Sequence, residues 1–279
     1  MKKLKKTKNI YIIIFVLFFV FLMFFLAYQY TKNSTNEALP SPISPVDETI
    51  VINDCIYGKF KCFKNDAFVC RSIQEKKSWE KHLLDLLIQY YKPGTHFLDI
   101  GANYGSHTIG VANHIRNTGQ GGKITSFEIQ PKILNIFREN IQMNGLEPFV
   151  TICDYGLSNQ NETKLFNLPK NYNINSNPGA LSLLNKTSDN AYEDVPIQLR
   201  RLDDLGLENI SLIKIDVEGY ELEAFEGGKQ TISRDKPVIL LEIWPHNLEK
   251  YKNWISVNFP FYNLVPVSQD DYILLPKNL

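Results

Sequence analysis

The chain has 279 residues, 44% of them hydrophobic, and its 30 basic and 30 acidic residues cancel. That length suits one large domain or two small ones. A neutral balance with no basic patch or stripe argues against nucleic acid as a partner.

In chain order, Lys2, Lys3, Lys5, Lys6 and Lys8 crowd the amino terminus, and Ile10 to Ala27 is apolar apart from Tyr11. An apolar run of that length nearly spans the hydrocarbon core of a bilayer. Ala27-Tyr28-Gln29 is a poor cleavage site, so residues 10–28 are expected to remain as a transmembrane signal anchor behind a basic cytoplasmic tail, residues 1–9. Lysines before the span, with only Lys32 close after it, place the amino terminus in the cytoplasm. The remainder is then expected across the membrane, in a Golgi or endoplasmic reticulum lumen if the cell is eukaryotic. Residues 29–50, with Pro40, Pro42 and Pro45 among Ser, Asn and Thr, read as a stalk, leaving 51–279 as the folded domain. Cys55, Cys62 and Cys70 are clustered and Cys153 stands apart. Two of the three would bridge in an oxidising lumen and remain thiols in a reducing compartment.

Short β-like pieces are expected around Tyr57–Phe63 and Ala67–Val69. Trp79, Leu83, Leu86 and Leu87 then recur at helical spacing up to the turn at Lys92-Pro93-Gly94. From there strands and helices alternate. Strands are expected at Thr95–Ile100, Lys123–Ile129, Phe149–Cys153, Ile210–Ile215 and Val238–Ile243. Helices are expected at Ser106–Arg116, from Pro131 to a C-cap at Gly145, at Glu221–Ser233 and at Asn247–Asn258. Two short strands, Phe261–Val267 and Tyr272–Leu275, close the chain. The polar stretch Ser158 to Val195 reads as hairpins or a lid. The alternation implies an α/β fold with a doubly wound, mostly parallel sheet.

In such sheets ligands bind beyond the carboxyl ends of the strands, near the point where strand order reverses. The loop Asp99-Ile100-Gly101-Ala102-Asn103-Tyr104-Gly105 follows the first strand of the alternation. Gly101 and Gly105 permit a sharp turn and close ligand approach, and Asn103 tolerates left-handed geometry. The spacing is Asp-x-Gly-x-Asn-x-Gly, without the third glycine that lets a helix close on a pyrophosphate, which disfavours an NAD-type dinucleotide. Glu128, at the end of the second strand, is placed to accept ribose hydroxyls. Asp154, after the third, is placed to accept from an adenine amino group.

A second constellation is Lys214-Ile215-Asp216-Val217-Glu218-Gly219, with Glu242 at the end of the fifth strand. Asp216 and Glu218, two apart on extended backbone, are expected to share a face. A carboxylate there can take the proton of an attacking hydroxyl, with Lys214 pairing to it or contacting substrate. Alternatively, Asp216, Glu218 and Glu242 could hold a divalent cation, or Glu218 and Glu242 could merely satisfy backbone groups of the turn. His107, just after the loop, is either a base or a helix cap. Trp244 and Pro245 either wall a pocket or pack in the core.

These strings resemble the FkbM-type methyltransferases. Phe97 to Gly105, with its Gly-Ala-Asn, is similar to the family's first motif and Ser126-Phe127-Glu128-Ile129-Gln130-Pro131 to its second. Leu202-Asp203-Asp204-Leu205, Ile213 to Glu221 and Leu240-Leu241-Glu242-Ile243 complete the set over roughly residues 57 to 245. The resemblance implies a Rossmann-like fold of the class I methyltransferase type and S-adenosylmethionine bound at Asp99, Gly101, Asn103, Gly105 and Glu128. It also implies O-methylation of a natural-product or sugar hydroxyl. The anchor shifts the expected acceptor toward a glycan, and Asp216, Glu218 and Lys214 are the catalytic candidates read from the second constellation. The membrane anchor lies outside the family pattern. The alternative is a catalytically silent methyltransferase-like binding or scaffold protein.

Overall fold

Apolar residues at strand and helix spacing build a seven-stranded sheet in the computed structural model, which describes residues 48–278. The basic tail, the anchor and the stalk as far as residue 47 lie outside the described residues. Among the described residues no helix is long and apolar enough to cross a membrane.

A hairpin comes first, β1 (Thr49–Cys55) against β2 (Gly58–Phe63), followed by α1 (Val69–Lys76) and α2 (Lys81–Tyr90). Strand β3 (His96–Ile100) leads into α3 (Ser106–Thr118), β4 (Lys123–Phe127) into α4 (Pro131–Met143), and β5 (Val150–Cys153) follows. After an intervening small sheet come β9 (Ile210–Ile215), α5 (Glu221–Gly227), α6 (Lys229–Asp235), β10 (Val238–Glu242), α7 (Leu248–Asn258), β11 (Tyr262–Pro266) and β12 (Asp271–Pro276). The strand order is β11-β12-β10-β9-β3-β4-β5. The run from β5 to β10 is parallel, and β12 and β11 add antiparallel at one edge. The chain moves outward from β3 through β4 to β5, then returns to place β9 on the other side of β3. The order therefore reverses between β3 and β9, where a crevice opens.

Alternate residues of each strand face opposite layers. Phe97 and Leu212 pack with Ile109, Ile115, Ile133 and Phe137 from α3 and α4. Leu98 and Ile213 pack with Phe225, Ile232 and Ile255 from α5, α6 and α7. Burial on both faces makes these strands continuous apolar runs, which is why they were readable without alternation.

Three local expectations change. Val69 opens a helix instead of ending a strand, and Cys70 on its first turn bridges to Cys62 in β2. Thr49 and Ile50, assigned to the stalk, are the first residues of β1. The expected helix Glu221–Ser233 is two helices, divided at Gly228, whose φ −112° and ψ 10° are not helical; the preceding Gly227 lies against the Ser158 carbonyl, where a Cβ would stand 1.9 Å from the oxygen. The polar stretch from Ser158 folds as a small sheet, β6 (Gly156–Leu157) parallel to β8 (Tyr192–Arg200) and β7 (Glu162–Pro169) antiparallel to it. Two 3-10 turns, Tyr172–Ile174 and Pro178–Ala180, connect β7 to β8.

One buried side chain ties the hairpin to the crevice. Asn140 on α4 accepts from the Lys61 N–H at 2.6 Å and donates to the carbonyls of Lys61 and Tyr104, both at 2.9 Å. Asn140→Ala orphans those groups and should cost about 2–3 kcal/mol in urea unfolding. A loss under about 0.5 kcal/mol would show that the hairpin is held by other contacts.

Candidate active site

The donor-loop glycines do what their type allows. Gly101 sits at φ +83°, and a Cβ there would lie 1.8 Å from the Asp216 carbonyl oxygen. Gly105 sits at φ +88°, with Phe137 filling the space of its absent side chain. Between them Asn103 takes φ +53°, a left-handed geometry that Asn tolerates. The loop is therefore pressed onto the end of β9, and the Asp216 N–H donates to the Ile100 carbonyl at 3.0 Å. The two sequence constellations meet at the reversal point of the sheet.

Glu128 stands at the far side of this loop, buried, with Oε2 accepting from the Asn103 N–H at 2.9 Å and Oε1 from the Gln130 N–H at 2.8 Å. Burial pushes its carboxyl up to about 7, against the pull of those backbone donors. Each oxygen keeps a free lone pair for a ligand hydroxyl. Gln130 in turn donates to the Pro178 carbonyl and accepts from the Tyr172 hydroxyl, both at 3.0 Å. Ser182 donates to the Glu218 carbonyl at 2.6 Å. These bonds draw the β7–β8 connection over the crevice as a lid. Asn177, Gly179, Ala180, Leu181 and Leu183 from that connection line the resulting cleft of about 1190 Å³, open mouth included.

Asp216, Glu218 and Glu242 gather on the opposite wall with carboxylate oxygens within 4.8 Å of one another, close enough for a metal ion. The route differs from the expected one. Strand β9 ends at Ile215, and Glu218 sits at φ +53° with Gly219 at φ +94°, so a left-handed turn brings Glu218 round to Asp216. Glu221, at the start of α5, imposes that turn, accepting through Oε1 from the N–H groups of Val217 at 3.3 Å and Gly219 at 3.0 Å. Tyr251 donates to its other oxygen at 2.6 Å. The backbone-satisfying role considered for Glu218 and Glu242 belongs to Glu221.

Burial, then Asp216 and Glu221, raise Glu218 to about 7. Burial, then Asp216 and Glu218, raise Glu242 to about 8. A further carboxylate, Glu80, was missed by the sequence reading. It precedes α2 in a left-handed conformation, φ 40°, and lines the cleft beside Trp79. Burial and the Asp216 charge push it up to about 8. Nothing in the local pattern marks Glu80, because its position depends on packing across the sheet.

Four expected site residues do not line the cleft. Asp99 is fully buried; its Oδ2 accepts from Thr108 on α3 at 2.6 Å, so it fixes the helix behind the loop. Gly105 acts through its packing on Phe137. Lys214, in register with Asp99, lies beneath the surface with Nζ 2.9 Å from Asp216 Oδ2. Burial opposes its charge, yet Asp216, Asp99 and Glu80 together hold the ammonium above the usual lysine value. It orients Asp216 and does not itself line the cleft. Asp154 does not line the cleft; its side chain is 68% exposed and stands 3.5 Å from Arg138. His107 is also buried, behind Glu80, and burial pushes its pKa well below the usual value.

Residues 99–261 match the family model of the methyltransferase FkbM domain. Over 161 residues, 47% of this chain, the sequence is 28% identical to the methyltransferase sdnD of Sordaria araneosa and spans 59% of that protein. The methyltransferase FkbM of Methylobacillus flagellatus superposes with a TM-score of 0.46 at 16% identity, covering 69% of this chain and 50% of that one. An S-adenosylhomocysteine-bound methyltransferase of Podospora anserina, PaMTH1, gives 0.41 at 15% identity, covering 70% and 76%. A methyltransferase family implies S-adenosylmethionine as the donor, and the residues present fit it. Gly101, its backbone pressed on Asp216, lines the cleft with Asn103, and Glu128 presents buried oxygens to hydroxyls.

The raised carboxyls set a pH dependence. Glu80, Glu218 and Glu242 bind protons more tightly folded than unfolded, where the ordinary value is 4.5. Their stabilising effect is complete below that value and is lost as pH rises through 7 to 8. The melting temperature of the ligand-free protein should fall between pH 5 and pH 8, and fall less in the Glu218→Gln/Glu242→Gln variant. A pH profile unchanged by those substitutions would contradict the burial of the pair.

Proposed function

The chain belongs to the methyltransferase FkbM domain family, and on that premise we propose that it transfers a methyl group from S-adenosylmethionine to a hydroxyl of a sugar, glycan or small molecule. The observation that supports this most is the contact of the Gly101 loop with Asp216. It sets a donor cradle directly against a wall of carboxylates. Gly101, Asn103 and Glu128 would hold the donor. When bound, S-adenosylmethionine supplies a methyl group made electrophilic by its sulfonium.

The chain's own residues would do the rest. Asp216 is oriented by Lys214, and Glu218 and Glu242 stand within 4.8 Å of it in the same cluster. A carboxylate near neutrality is suited to take a hydroxyl proton as that oxygen attacks. The lid, bonded to Gln130 and Glu218, would limit water in the cleft once ligands fill its mouth. Excluding water strengthens every charge interaction inside it.

Residues 10–28 are proposed as a membrane anchor that holds this domain on the far side of the bilayer, within reach of membrane-borne or lumenal acceptors. The apolar span and flanking lysines support that placement. The Cys62–Cys70 bridge supports it as well, since disulfides persist in oxidising compartments.

The test is transfer of labelled methyl groups by the full chain in detergent. Asp216→Asn should lower kcat by about 10²- to 10⁴-fold, the range of a lost acid–base group, while calorimetry still detects S-adenosylmethionine binding. Undiminished transfer by Asp216→Asn would remove Asp216 from the chemistry.

A further inference from the structure

We propose that the acceptor is a membrane-borne amphiphile: a hydroxyl-bearing head group enters between the donor loop and the carboxylates, and its hydrocarbon tail lies on an apolar rim at the cleft mouth. The proposal rests on the O-methyltransferase reading and names its substrate class. The lid is tied down at two places. The Ala67 N–H donates to the Ser176 carbonyl at 2.8 Å, and the Ser182 hydroxyl donates to the Glu218 carbonyl at 2.6 Å. Ala180 and Leu181 lie between these ties along the lid and Leu183 just past the second, and all three line the cleft. Phe68, one residue from the first tie, lines it too and is 47% exposed. Leu184 is 62% exposed and stands 3.4 Å from the point where a Gly219 Cβ would lie, with the Trp244 ring 3.6 Å from that point. Gly219 sits between Glu218 and Tyr220, both in the cleft wall.

Single exposed apolar side chains are ordinary on a protein surface, but a set of them around one opening marks a binding surface. A free sugar would leave Phe68 and Leu184 in water, whereas a hydrocarbon tail takes their apolar surface out of it. Among the described residues no lysine, arginine or histidine lines the cleft, so no cationic side chain there pairs with an acidic acceptor. The place where the chain enters the domain supports a membrane source. Glu48, the first described residue, donates its N–H to Asn173 Oδ1 at 3.1 Å, and Asn65 donates to the Asn173 carbonyl at 3.0 Å. Asn173 belongs to the lid turn Tyr172–Ile174, and Ile174 is 55% exposed. The chain therefore joins the domain beside the Phe68 end of the rim. Upstream in the sequence stand the polar stalk and, before it, the apolar span from Ile10 to Ala27. On the anchored reading, the segment that leaves the bilayer reaches the domain at this rim, where a membrane-borne acceptor is met.

In the experiment the full chain in detergent is given methyl-labelled S-adenosylmethionine with either the aqueous or the chloroform–methanol extract of source cells that lack its gene. The proposal expects label from the chloroform–methanol extract, recovered in the organic phase with the methyl on oxygen. With that acceptor purified, Phe68→Asp and Leu184→Asp should each raise its KM about tenfold, equivalent to about 1.4 kcal/mol, with kcat and S-adenosylmethionine affinity unchanged. Val257→Asp, on α7 at a position 77% exposed and outside the cleft lining, should leave KM as it is. Label confined to the aqueous extract, or carried by protein, overturns the amphiphile and leaves the O-methyltransferase reading intact. An unchanged KM in both rim variants removes the rim from acceptor binding and overturns the proposal. Recovery of the full chain in the soluble fraction of lysed cells removes the anchor, and with it the membrane as the acceptor's source. No labelled product from either extract, with donor binding retained in calorimetry, would sink the O-methyltransferase reading and this inference with it.

Discussion

The backbone of Gly101 rests directly on the backbone of Asp216, and the functional cleft depends on that contact. With no side chain at Gly101 the loop after β3 can touch the end of β9, and the Asp216 N–H closes on Ile100. The parallel register that pairs Asp99 with Lys214 makes the same junction one layer deeper. Two segments more than a hundred residues apart are thereby fixed to each other, one suited to a donor and the other to proton removal.

Electrostatics follow from that junction. Asp99 and Lys214 are taken out of water together, and Asp216 reaches the surface still bonded to the lysine. Glu218, Glu242 and Glu80 then collect around a charge already engaged, and burial and mutual repulsion lift their proton affinities toward neutrality. Such clustering costs stability in a ligand-free domain and is the arrangement expected where a site is shaped for a reaction. The lid sheet extends the same logic. Gln130 follows Glu128 by two positions and binds the lid turn, so one short segment holds both the donor loop and the cover.

Much of this was legible in the residues. Strands β3, β9 and β10 announce themselves as largely apolar runs buried on both faces, and Pro131 and Gly145 bracket α4 as their chemistry requires. Gly101, Asn103 and Glu128 were readable because their roles are local. What failed was set by contacts distant in sequence. Glu221 holds the Glu218 turn in place of the extended backbone expected there, and Glu80 reaches the cleft from an element outside the motifs. Asp99 and Lys214 looked like site residues but lie beneath the cleft, bonded to Thr108 and Asp216, and Asp154 is exposed beside Arg138. The helix break at Gly228 follows a glycine packed on the Ser158 carbonyl, a neighbour no periodicity reports.

The central claim is that the space between the Gly101 loop and Glu128 holds the donor. A crystal structure of the full chain with S-adenosylhomocysteine tests it most directly. The account predicts the product in that space, against Gly101 and Asn103, with its ribose hydroxyls at Glu128. Product bound elsewhere, or a Glu128 carboxylate with no contact to it, would contradict the account.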